Sequence, residues 1–196
     1  MYNNSALVKS ILILAANPQG TSKLRLDEEV REIDIGLQRS QKREQFVLKQ
    51  QWAVRPRDIY RAILDVRPQI VHFCGHGEGN EGLVFEDESG RNKFVDSEAL
   101  ANLFKLFSTQ VECVLLNACY SDIQAAAISQ HIDYVIGMKQ GIGDKAAINF
   151  AVGFYDALGA GKCYDFAFNL GCLAIQLSGM SEESTPAIKK NDEHDR

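Results

Sequence analysis

Gln69-Ile-Val-His-Phe-Cys-Gly-His-Gly77 decides how this chain folds: an apolar run of strand length closes on a histidine set between two glycines. Val111-Glu-Cys-Val-Leu-Leu116 is a second such run, and it closes on Asn117-Ala118-Cys119. Short apolar runs bounded by turn residues read as buried strands. His76 at one strand end and Cys119 at the next, 43 positions later, bring a base and a thiol nucleophile to one edge of a sheet.

Outward from these two runs, strands and helices alternate. Ser10 to Ala16 has the length of a buried strand and stops at Asn17-Pro18-Gln19-Gly20, a turn signal. Ser22 is placed to cap the next helix, on which Leu26, Val30, Ile33 and Leu37 share a face. A strand is read over 45–50 and a short helix over 57–66, with Pro56 at its first turn. Beyond His76, the stretch from Gly82 to Val95 turns at 87–90 and reads as a β-hairpin. Helices then start at Asp96 or Ser97, cover 123–131, run from 144 to 158 and occupy 163–177, with a short strand at 134–137. This alternation predicts an α/β fold: a mostly parallel sheet with helices on both faces. One domain is expected over 10–178, with an N-terminal tail at 1–9 and a C-terminal tail or linker at 179–196.

Composition excludes several classes. With 196 residues, 45% hydrophobic and 24% charged, the chain can bury a substantial core. A net charge of −5 offers no basic surface for nucleic acid. No run approaches the roughly 20 apolar residues of a membrane span. Met1-Tyr-Asn-Asn-Ser5 lacks the basic-then-apolar pattern of a secretory signal. Five cysteines without a C-x-x-C pair point to reduced thiols and a cytoplasmic setting. The histidines and cysteines do not cluster at ligand spacing, so neither a metal nor another cofactor is expected.

The chemistry read from the strand ends is acyl transfer. Open α/β sheets bind ligands outside the carboxyl ends of their strands, where both His76 and Cys119 fall. Cys119 is the expected nucleophile and His76 the expected base, a pair that can act without a third residue. The N–H groups of Gly77 and Cys119 are candidates for an oxyanion hole. His72 alternates into the sheet interior, while His131 and His194 fall on a helix end and the tail. Cys74, Cys113 and Cys163 sit in or beside apolar runs and read as packing.

At this point the chain resembles a known family. Val71-His-Phe-Cys-Gly-His-Gly77, Gly82-Leu-Val-Phe-Glu86 and Leu115-Leu-Asn-Ala-Cys-Tyr-Ser121 look like a CHAT domain, the bacterial branch of the caspase and separase superfamily. Caspases also set their histidine about 50 residues ahead of the nucleophile. The resemblance implies a three-layer caspase-like fold with a small hairpin after the histidine, and it puts the base on His76 and the nucleophile on Cys119. It implies a cysteine endopeptidase acting on proteins or peptides, in bacterial stress, defence or cell-death signalling. Such domains are joined to or partnered with recognition modules, so control by a partner or fused module, by dimerisation or by cleavage is expected.

In related peptidases the residue two before the nucleophile lines the pocket for the substrate side chain, and metacaspase-like enzymes tend to carry Asp there for Arg or Lys. Here it is Asn117, whose neutral amide cannot neutralise a buried cation. Basic specificity therefore requires another acid, and Asp122 and Asp144 are the candidates. Two other classes compete. A catalytically silent caspase-like scaffold could bind a partner through the same cleft. A flavodoxin-like nucleotide domain is disfavoured, since no G-x-x-x-x-G-K-[ST] occurs.

Overall fold

The computed structural model describes residues 8–191. Strand β1 (Lys9–Ala15) is fully buried from Ile11 onward, as its apolar run requires. Helix α1 (Leu26–Arg39) follows, then β2 (Phe46–Trp52), α2 (Pro56–Val66) and β3 (Ile70–Cys74). The chain then makes a small antiparallel sheet of β4 (His76–Gly77), β5 (Leu83–Glu86) and β6 (Asn92–Val95). Helix α3 (Ser97–Leu106), β7 (Cys113–Asn117), α4 (Asp122–Ile128), β8 (Tyr134–Met138), α5 (Asp144–Gly159), α6 (Tyr164–Leu177) and β9 (Pro186–Lys190) complete it.

The main sheet runs β2-β1-β3-β7-β8-β9. Its first five strands are parallel, and β9 pairs antiparallel with β8. Alternation along each strand divides the core into two layers. Ile11, Ile13, Ile70, Cys74, Cys113 and Leu115 face α1, α5 and α6. Leu12, Leu14, Val71, Phe73, Val114 and Leu116 face the other layer, which holds Ile59 and Ile63 of α2, Leu100 and Phe104 of α3, and Ala125 and Ile128 of α4. This is the expected three-layer arrangement, with the small sheet beginning at His76 itself.

Two expectations change. Ser22 does not cap α1: Arg25 precedes its first residue, and the favourable groups there are Asp27, Glu28 and Glu29 in the first turn. Residues 179–196 were expected as a tail or linker, yet 186–190 form the edge strand β9. It is only five residues long and carries Lys189 and Lys190, too short and too charged to stand out. Pro186 opens the strand, a position where a missing N–H costs no ladder bond. Of the expected N-terminal tail, Lys9 is already in β1; residues 1–7, and His194, lie outside the described residues.

Candidate active site

The register of the central strands sets the site. Cys74 of β3 pairs with Asn117 of β7, and His76 and Cys119 each lie two residues beyond that pair. Both side chains line a cavity of ≈ 360 Å³ at the carboxyl ends of the strands, together with Ser22, Leu26, Glu29, Asn117, Ile142 and Asp144. The loop carrying Cys119 turns sharply: Tyr120 adopts φ 55, a left-handed conformation costly for a bulky side chain. Gly77 is needed where the two loops meet, since a Cβ there would lie 2.3 Å from the Cys119 carbonyl oxygen. That close approach places the histidine loop against the nucleophile loop.

Ile142 N–H donates to Cys119 Sγ at 3.4 Å, and the Sγ lies 3.7 Å from the Ile142 carbonyl. His76 Nε2 meets Asn17 Oδ1 at 3.3 Å. Half-buried, His76 has its pKa lowered by loss of hydration, an effect opposed by a hydrogen bond to the Ser22 backbone and by the nearby Glu78 charge. Burial acts on three further cysteines. Burial pushes the Cys74 and Cys113 thiols well up, and Cys172 rises to about 11 for the same reason. Such thiols are poor nucleophiles at neutral pH.

Asn117 is buried at the cavity floor, its Nδ2 donating to Glu29 Oε1 at 2.6 Å and to the Ala147 carbonyl at 3.1 Å. Asp144 reaches the cavity but is engaged by Arg25, whose Nε donates to Oδ2 at 2.9 Å. Asp122 is not brought to the cavity; it pairs with Lys189 of β9 at 2.8 Å. Two residues of the site escaped the sequence reading. Asn17 was seen only as part of a turn. Glu29 sits on the buried stripe of α1 beside Leu26, Val30 and Ile33, and an acid on an apolar face was the signal available. Among the described residues no three metal-ligating side chains gather, and no helix is long and apolar enough to cross a membrane.

The model of the CHAT domain matches residues 3–169. The chain belongs to the CHAT domain family. Among its relatives are a "Roc-COR-CHAT protease" from an unknown prokaryotic organism and a "Probable protease" from Gillisia limnaea. The first is 25% identical over 86% of this chain and 16% of its own length. The second is 27% identical over 84% of this chain and 29% of its own. This CHAT domain thus spans less than a third of either relative.

Solved structures agree on the fold. A secreted C11 cysteine protease from Bacteroides thetaiotaomicron, in complex with an irreversible peptide inhibitor, superposes with a TM-score of 0.68 at 14% identity, over 94% of the CHAT chain and 66% of that protein. The Drosophila initiator caspase Dronc superposes with a TM-score of 0.59 at 9% identity, over 95% and 81%.

Proposed function

We propose that this CHAT domain is a cysteine endopeptidase in which Cys119 is the nucleophile and His76 the base. The observation that carries the reading is the shared cavity: a half-buried imidazole and a thiol at the ends of paired strands, in a domain whose relatives are named proteases. His76 takes the thiol proton, and Cys119 Sγ bonds to the substrate carbonyl carbon. The C–N bond then breaks as His76 returns the proton to the departing amine, leaving a thioester for water to hydrolyse. The Gly77 and Cys119 N–H groups are assigned to the developing oxyanion. Asn17 Oδ1, 3.3 Å from His76 Nε2, is a positioning residue that holds the ring.

The biological part of the proposal is a regulated effector in bacterial stress, defence or cell-death signalling, working in the cytoplasm. Its five unpaired cysteines suit a reducing compartment. The composite name of one relative, of which this chain matches 16%, supports control by a fused module or a partner, and dimerisation is a further route. A second reading has one observation in its favour: Cys119 Sγ hydrogen-bonds Ile142, not His76, among the described residues. A silent scaffold would tolerate that arrangement. Catalytic hydrogen bonds are often loose before substrate arrives, so the peptidase reading stands ahead.

A peptide-library digest tests it, with Cys119→Ala as control and a peptide-like electrophile as second probe. Cleavage that vanishes in the control, and labelling of Cys119 that is lost in His76→Ala, are the expected results. Identical digests from wild type and control would defeat the assignment.

A further inference from the structure

The loop that carries Cys119 leans on a second loop, and that loop leans on a segment from far along the chain. Residues 139–143 join β8 to α5 and pass beside the thiol. Tyr120 N–H donates to the Gln140 carbonyl at 3.2 Å, which ties the two loops together one residue past Cys119. Two residues further on, Ile142 N–H meets Cys119 Sγ at 3.4 Å. An N–H held at that place favours negative charge on the attacking atom, and its worth depends on how firmly the loop is held. Gly141 and Gly143, both exposed, leave the loop little stiffness of its own.

What holds it is the connection between α6 and β9. Strand β9 runs antiparallel along β8, with Met138 opposite Pro186. Lys139 N–H donates to the Thr185 carbonyl at 2.9 Å, which carries this ladder into the loop. Thr185 is 1% exposed, and its hydroxyl accepts from Gln140 Nε2 at 3.1 Å. Thr185 N–H donates in turn to the Glu182 carbonyl at 2.9 Å, closing a turn. From that turn Glu182 Oε1 accepts from Gly143 N–H at 2.6 Å. This charge-assisted bond falls on the residue that opens α5, next to the amide that faces the thiol. The pair of Lys189 and Asp122, at 2.8 Å, fastens the same strand to the first turn of α4, just past Cys119. Glu182, Thr185 and Lys189 all lie beyond residues 3–169, the span that the CHAT model matches. His76 and Cys119 lie inside that span, and the brace lies outside it.

We infer that Glu182 is a positioning residue for the nucleophile: its carboxylate holds the 139–143 loop so that Ile142 N–H meets Cys119 Sγ. The inference rests on the reading of Cys119 as the nucleophile of a peptidase, and it adds to the site a support from the α6–β9 connection. The demand on Glu182 is one of reach. An amide oxygen at the same distance replaces the carboxylate, and a side chain one methylene shorter does not.

The test reads the thiol itself and needs no substrate. The full chain is treated with iodoacetamide at neutral pH, and alkylation of Cys119 is followed by peptide mass mapping. Exposed Cys163, which precedes α6 and lines a cavity with Lys9 at the other end of the sheet, is the reference within each sample. Cys113, buried in β7, reports unfolding by becoming alkylated. Glu182→Ala should lower the rate at Cys119 relative to Cys163 by about fivefold, the effect of one hydrogen bond. Glu182→Asp should lower it by about as much, while Glu182→Gln should stay within about twofold of wild type. A role confined to stability would leave this ratio unchanged in the folded protein. Unchanged ratios in Glu182→Ala and Glu182→Asp would therefore overturn the inference, and so would a faster Cys119, which would mean that the loop shields the sulfur. A loss in Glu182→Gln equal to that in Glu182→Ala would also overturn it, since charge and not reach would then matter. If Glu182→Ala exposes Cys113, the aspartate and glutamine variants decide alone. The peptidase reading fails separately, by the digest with Cys119→Ala, because alkylation by iodoacetamide does not require peptide cleavage.

Discussion

The two ends of the main sheet handle charge in opposite ways. At the amino ends, Lys9 of β1 is paired with Glu112, the Tyr164 hydroxyl donates to the same carboxylate at 3.0 Å, and Lys9 Nζ lies 5.1 Å from the Tyr164 ring centroid. Every charged group in that cluster has its partner. At the carboxyl ends, Asn117 Oδ1 has no partner among the described residues, Tyr120 sits at φ 55, and His76 is held below its ordinary pKa. A larger cavity, ≈ 820 Å³, lies at the amino ends between Lys9, Gln69 and Glu112, and among the described residues no thiol or histidine lines it. Volume alone would have chosen the other end. Unmet bonding capacity and local strain mark the end to which we assign the chemistry.

The comparison breaks most visibly at Gly77. An added Cβ would meet the Cys119 carbonyl oxygen, which belongs to backbone and cannot swing aside. Gly77→Ala should therefore slow labelling of Cys119 by about 100-fold, the scale of a misplacement of the reacting groups by an ångström. An unchanged rate would show that the histidine and nucleophile loops are not held against each other for catalysis. Asn17→Ala is next. Losing the contact to His76 Nε2 should lower kcat by about tenfold with KM little changed, as a positioning loss does. A rise in KM alone would make Asn17 a binding residue.

Tyr164→Phe probes the other end. It removes the hydrogen bond to Glu112 and should cost about 1 kcal/mol in a denaturant titration. Peptide cleavage should stay within about twofold of wild type, since the groups lie at the opposite strand ends. A large loss of activity would mean that the two ends are coupled through the sheet.

How much of this was legible differs between the ends for the same physical reason. The apolar runs of β1, β3 and β7 are buried on both faces, so their composition announces them without any partner in view. Strand β9 draws its stability from the edge of β8 and carries little pattern of its own. His76 and Cys119 were visible because glycines and strand ends flank them. Glu29 and Asn17 were not, because each gains its meaning from a residue far away in sequence: Glu29 from Asn117, Asn17 from His76. Parity along a strand and spacing along a helix predict which way a side chain faces. They do not predict which residue of another element it meets.

The smallest expected effect is the most direct reading of the environment around His76. Partial burial lowers its pKa from the ordinary 6.5, while the Ser22 backbone hydrogen bond and the Glu78 charge pull it back up. The unfolded chain therefore takes up this proton before the folded one does as the medium is acidified. The stability contributed by the neutral ring is complete above 6.5 and is lost as pH falls through the lower folded value. Activity that needs a neutral imidazole should follow the folded value, so the acid limb of kcat/KM should lie below 6.5. Glu78→Gln removes one of the two groups that raise the pKa, and the limb should move further to acid. Because Glu78 is exposed and screened by water, the move should be only about a few tenths of a unit, and smaller still at high salt. A limb that moved toward alkaline pH in Glu78→Gln would mean that another group controls the proton, and His76 would lose its place as the base.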